Sequence, residues 1–257
     1  MPLYIESSKN PKIKWLIQLQ QKSKQRKSEG VVLVEGKKEY GLAIKAGWTP
    51  KITIHNGSFS GDIPQNSEEW IIATELEEKI MVRGGRGEVL GVFEEPAIAM
   101  EELDLPQDAL VLVMEGVEKP GNLGAVLRTA DAAGVAAVFV VDSVGDVFHP
   151  NVARNSLGAL FSVPILTTSS SQAYNFLSQR GFNMIVTWLE ASVPYTTIDY
   201  KGPTAIVIGA EATGVSSFWV EKGAQRAIIP MSGVVDSMNV SVAAAIVVFE
   251  AVRQRSL

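Results

Sequence analysis

Five polar residues in the second half of the chain stand where chemistry could be done: Asn122, Arg128, Glu211, Ser237 and Asn239. They offer two amides, a guanidinium, a carboxylate and a hydroxyl. Arginine suits planar, multi-donor recognition of phosphate or carboxylate. Each residue sits in a run with glycines and an apolar strand before it: Asn122-Leu-Gly-Ala-Val-Leu-Arg128, Val207-Ile-Gly209-Ala-Glu211-Ala-Thr-Gly214, and Ile229-Pro-Met-Ser-Gly-Val-Val-Asp-Ser237-Met238-Asn239-Val-Ser241. Gly209 would let the backbone approach a ligand closely. Plainer readings exist for each. Asn122 sits where a helix N-cap belongs, Arg128 could lie on a solvated face, and Glu211 could be exposed in a tight turn. Ser237, Asn239 or Ser241 could cap the last helix, which accounts for one of them and leaves two.

The elements that position these residues follow from hydropathy spacing. From residue 109 strands and helices alternate. Strands are expected at 109–114, 136–141, 184–187, 204–208 and 227–229, with helices at 122–133, 170–179 and 239–253. The strands are apolar throughout, so a parallel sheet covered on both faces is expected, with ligands at strand ends. The helix from 240 to 249 is nearly all apolar. It must be buried on every side, at a subunit interface or deep in the monomer. Residues 1–93 read as a small α/β domain: a helix at 11–27, a strand at 31–34, a helix at 35–46, a strand at 51–55, a loop at 56–69, a strand at 70–73, a short helix at 75–81 and a strand at 89–93. Residues 94–108, with Pro96, Pro106 and six acidic residues, read as a linker to the domain at 109–257.

Composition narrows the chemistry. The chain has 257 residues, 46% hydrophobic, and no cysteine. Thiol nucleophiles, disulfides and zinc ribbons are excluded. Only His55 and His149 exist, so no metal site is expected, and each histidine is expected at the surface or in a turn. No G-x-G-x-x-G occurs, so the dinucleotide fingerprint is absent. The start of the chain lacks a signal pattern and no apolar run nears membrane-spanning length, so a soluble cytoplasmic protein is expected. Net charge is −5, yet residues 9–38 hold nine basic residues against Glu29 and Glu35. That +7 end leaves −12 for the rest, and would orient an anionic partner on an otherwise acidic body.

The three motifs together resemble those of the SpoU, or TrmH-like, RNA 2′-O-ribose methyltransferases of the SPOUT class, and the resemblance covers essentially the whole chain. The run Asn151-Val-Ala-Arg154-Asn-Ser156-Leu-Gly158 is similar to that family's segment between its first two motifs. The resemblance implies an α/β fold: a C-terminal parallel-sheet domain with a deep trefoil knot, and a small N-terminal RNA-binding domain similar to a ribosomal protein. It implies S-adenosylmethionine as methyl donor and a homodimer through the knotted domain. It implies main-chain donor contacts at Gly209, Ile229 and Met238, where the family usually has Leu at the last. Asn122, Arg128, Glu211, Ser237 and Asn239 match its key polar residues. The expected reaction is methylation of a ribose 2′-hydroxyl, on ribosomal RNA before transfer RNA, and without metal. A non-catalytic RNA-binding assembly factor keeping the fold is the alternative.

Overall fold

The computed structural model describes residues 1–81, 88–143, 145–190, 192–211, 213–235 and 237–256. In chain order the first elements are β1 (Leu3–Ile5), α1 (Pro11–Gln21), α2 (Ser23–Glu29), β2 (Val31–Glu35), α3 (Lys37–Lys45), β3 (Pro50–His55), β4 (Glu68–Ile72), α4 (Thr74–Ile80) and β5 (Val89–Glu94). Then come β6 (Leu110–Glu115), α5 (Pro120–Ala132), β7 (Ala137–Val141), α6 (Pro150–Asn155), α7 (Ala159–Ser162), β8 (Ile165–Thr168) and α8 (Ser170–Gln179). The chain ends with β9 (Asn183–Thr187), β10 (Val193–Pro194), β11 (Thr204–Gly209), α9 (Ser217–Glu221), β12 (Gln225–Ile228) and α10 (Val240–Arg255). Two compact units result: Met1–Ala97 with Phe148–Phe161, and Ile98–Val147 with Ser162–Leu257.

In the first unit the sheet order is β1-β4-β3-β5-β2, mixed parallel and antiparallel. Ile13, Leu16 and Leu19 recur at helical spacing and bury α1 against Trp70, Ile54 and Leu90. The helix expected over 11–27 is two helices. Lys22 is extended (φ −117°, ψ 106°) and ends α1. The buried guanidinium of Arg26 donates to the carbonyls of Leu19 and Gln20, satisfying the last turn of α1. One of the nine basic residues is therefore structural. His55 is not at the surface. It is 4% exposed, its Nδ1 accepts from the Gly57 N–H at 3.0 Å, and its Nε2 lies 3.1 Å from a Glu69 oxygen. Phe148–Phe161 packs here too: Trp48 meets Phe148 and Phe161 edge to face, and Gly158 lies against Leu42.

The second unit holds a seven-stranded sheet in the order β10-β12-β9-β11-β6-β7-β8, parallel throughout. This is what uniformly apolar strands require, since both faces are covered. Val111, Val113, Phe139, Val207 and Trp219 form the core on one face. The last strand runs from Gln225 to Ile228, starting two residues before and ending one before the apolar residues at 227–229, because its pairing with β9 starts at Gln225. β11 enters between β9 and β6, whereas β7 and β8 extend on the far side of β6. That order fits the knotted SPOUT fold. It also makes the β6/β11 boundary a switch point, where connections leave in opposite directions and open a crevice at the carboxyl ends.

Candidate active site

The crevice is present. A cleft of about 230 Å³ opens at the ends of β6 and β11, lined by Gly116, Val117, Glu118, Lys119 and Asn122 on one wall, and by Ala210, Glu211, Thr213 and Val240 on the other. The first wall is the turn into α5. Pro120 takes the first helical position, so Lys119 rather than Asn122 is the N-cap. Asn122 therefore lies inside the first turn, and its amide is free to face outward. It donates from Nδ2 to Glu211 Oε1 at 3.1 Å.

The second wall is a tight loop. Gly214 N–H donates to the Ala210 carbonyl at 2.9 Å, bringing the two ends of the turn together. A β-carbon at Gly209 would stand 2.1 Å from the carbonyl group of Gly214. Only glycine fits, and the close approach is by the chain's own backbone rather than by a ligand. The loop holds Glu211 out toward Lys119, which pairs with Oε2. That ammonium hydrogen bond first, then the Asn122 amide, hold the Glu211 carboxyl below its ordinary value.

Asn239 joins from a third segment. It caps α10 by accepting from Ser241 N at 3.0 Å, and donates from Nδ2 to Glu211 Oε1 at 2.6 Å and Asn122 Oδ1 at 3.1 Å. Three of the five polar residues read from the sequence thus meet in one hydrogen-bonded triangle: Asn122, Glu211 and Asn239. Ser237 lies two residues before Asn239 in the same exposed loop. Arg128 does not join. It is exposed on α5, about 9 Å along the helix axis from Asn122, and among the described residues has no hydrogen-bond or ion-pair partner.

Gly209 ends β11, Ile229 follows β12 and Met238 is half-buried before α10. None of the three lines the 230 Å³ cleft. Between the last two, residues 231–235 are exposed and make no hydrogen bonds among the described residues, leaving their main-chain groups to water or a ligand.

Two participants were not singled out by sequence reasoning. Lys119, the ion-pair partner of Glu211, stands just before the Pro-Gly turn, where a single lysine has no pattern of its own. Glu115, at the end of an apolar strand, reads as a boundary residue; its three donors come from 55 and 101 residues away.

A covered parallel sheet with a polar triangle at its switch point is the place where α/β domains commonly bind their ligands. The family is given by sequence. The profile of the SpoU rRNA Methylase family matches residues 109–249, and that of the MRM3-like substrate binding domain matches residues 10–92. The chain is 31% identical over 251 residues to the Bacillus subtilis 23S rRNA (guanosine(2553)-2'-O)-methyltransferase RlmP, covering 95% of this chain and 97% of that one. It is 44% identical over 149 residues to RlmB, a 23S rRNA (guanosine-2'-O-)-methyltransferase of Ralstonia nicotianae; that match spans 58% of this chain and 60% of the relative. The crystal structure of an AdoMet-bound rRNA methyltransferase from Sinorhizobium meliloti superposes with a TM-score of 0.90 at 26% identity, over 98% of each chain. The chain belongs to the SpoU rRNA methylase family.

Proposed function

We propose that this chain is an S-adenosylmethionine-dependent RNA 2′-O-ribose methyltransferase, acting in the cytoplasm on ribosomal RNA. The observation that carries the reading is the Asn122–Glu211–Asn239 triangle at the switch-point cleft, which draws one residue from each of the three motifs. The relatives named above supply the reaction and the substrate class. When bound, S-adenosylmethionine supplies an electrophilic methyl group on a sulfonium. The chain fits it: glycine-built bends at strand ends and the unbonded main chain of 231–235 offer donors and acceptors, and Gly209, Ile229 and Met238 are the positions proposed to use them.

Glu211 holds Lys119, Asn122 and Asn239 in one arrangement, so the wall facing the ribose needs no reorganisation during the reaction. Ser237 and Asn239 fix the loop and the ribose, and Asn122 shapes the same pocket. Arg128 grips a phosphate and stabilises the growing alkoxide. The guanidinium serves as a cation rather than as a base. Because Arg128 stands outside its own cleft, it acts in a homodimer, from one protomer upon the ribose held by its partner. Support for the dimer lies on α10, where Val242 and Phe249 are 48% and 46% exposed in a stretch that is apolar from Val242 to Phe249. Residues 1–93 form the RNA-selecting domain, 94–108 the linker and 109–257 the methyltransferase domain.

Nucleoside mass spectrometry of ribosomal and transfer RNA, from cells with and without the gene, tests the substrate. Loss of one 2′-O-methylated nucleoside from ribosomal RNA is expected; loss from transfer RNA alone would redirect it. Arg128→Lys keeps the charge and loses the fork, and should lower methylation about tenfold or more while donor binding persists. Wild-type turnover by that variant would remove Arg128 from the mechanism.

A further inference from the structure

The carboxylate of Glu115 is buried at the end of β6, directly opposite Gly209 in the β6–β11 register. Its Oε1 accepts from Ser170 Oγ at 3.0 Å and from Ser216 Oγ at 2.7 Å, and its Oε2 accepts from the Ser216 backbone N–H at 2.6 Å. Ser216 ends the loop that begins at Gly209, and Ala210, Glu211 and Thr213 between them line the cleft. Gly209 fixes the entrance of that loop by its contact with Gly214, and Glu115 fixes its exit. On its other side Glu115 leads directly into Gly116, Val117, Glu118 and Lys119, the opposite wall. Ser170, the third partner, opens α8, and its N–H is held at 3.1 Å by Asp142 at the end of β7. One buried side chain is therefore the common root of both walls.

We infer that Glu115 is a positioning residue for the methyl-donor site: opposite Gly209, a proposed donor contact, it fixes through three hydrogen bonds the loop that leaves Gly209 against the start of the 116–122 wall, and it touches neither donor nor ribose. The inference rests on the donor-binding reading above. It concerns bonding geometry rather than charge, and the two can be separated. In Glu115→Gln the amide oxygen can accept from the Ser216 N–H while its NH2 donates to the two serine hydroxyls, which accept as well as donate. All three bonds survive and the charge is gone. Glu115→Ala loses all three and leaves a buried N–H without a partner.

Calorimetric titration of the full-length protein with S-adenosylmethionine, and with its neutral thioether product S-adenosylhomocysteine, decides the matter. Wild-type protein that binds neither ligand sinks the donor reading itself. Given wild-type binding, Glu115→Ala should weaken both ligands about tenfold to hundredfold, and Glu115→Gln should restore both to within about threefold. Should Glu115→Ala fail to fold, Ser216→Ala, which removes one bond and leaves the N–H contact, should weaken both ligands by about threefold to tenfold. Unchanged affinities in a folded Glu115→Ala or, failing that, in Ser216→Ala overturn the inference. So does a Glu115→Gln protein that loses the sulfonium ligand but keeps the thioether, because the side chain would then act by its charge.

Discussion

Helix α10 carries a polar network at each end, and the two are built differently. At its start, Asn239 meets Asn122 and Glu211, with Lys119 on the far oxygen; every partner beyond the cap itself is another side chain. At its end, Arg255 and Gln254 reach main-chain groups as well as side chains. Arg255 donates from Nε to Tyr200 O at 3.0 Å, from Nη2 to Gly202 O at 2.5 Å and from Nη1 to Asp108 O. Gln254 takes Tyr200 N at 3.2 Å and gives to Ile198 O at 3.0 Å. Buried main-chain groups are costly to leave unpaired, and the second network pairs those of Ile198 and Tyr200 and also reaches Gly202 and Asp108. The side chains of the first network are exposed or half-buried and could be hydrated singly at little cost. Holding them together contributes little to folding, and the proposed site rests on that contrast.

The strongest way to break this contrast is to remove the hub of the first network. Glu211→Ala should lower RNA methylation about 100-fold or more, the order seen when a preorganised polar group is lost, with the melting temperature within about 2 °C of wild type. A large drop in melting temperature would erase the distinction between the two ends. The complementary variant is Arg255→Ala. Losing three carbonyl partners should cost roughly 2 kcal/mol, or about 4–8 °C in a chain of this size, while methylation per folded molecule holds. Thermal melts paired with single-turnover assays compare the two directly.

What the sequence revealed divides along the same line. Strands β6, β7, β9 and β11 were legible because a parallel strand buried on both faces writes an apolar run, as in residues 110–114. The triangle was legible as residue types beside glycines, but its bonds span 28 to 117 residues and have no local signature. Asn122 was placed on the wrong side of the helix start, because cap preference outweighed the proline that takes the first position. The break at Lys22 changes no apolar position and leaves the period intact. β1, with three residues and only Ile5 buried, is too short for any pattern. The grouping of Phe148–Phe161 with Met1–Ala97 depends on Trp48 and Leu42, which no contiguous reading connects to it.

The smallest expected effect separates the two ends by pH. Glu250 is buried in the second network, and hydrogen bonds from Arg253 and then Gln254 lower its carboxyl to about 2 from an ordinary 4.5. A carboxylate depressed in the folded state is protonated first in the unfolded chain. Its stabilisation is therefore complete above pH 4.5 and fades as pH falls toward 2. Arg253 is mostly exposed, so screening trims the effect to on the order of 1–2 kcal/mol. Glu250→Gln should be the less stable protein at pH 6, and the gap should shrink steadily through pH 3, read by urea unfolding at each pH. The other carboxylates titrate in both proteins and cancel in the difference. Parallel curves from pH 6 to pH 2 would mean that Glu250 is held by shape alone, and that the end of α10 owes its order to Arg255 and Gln254.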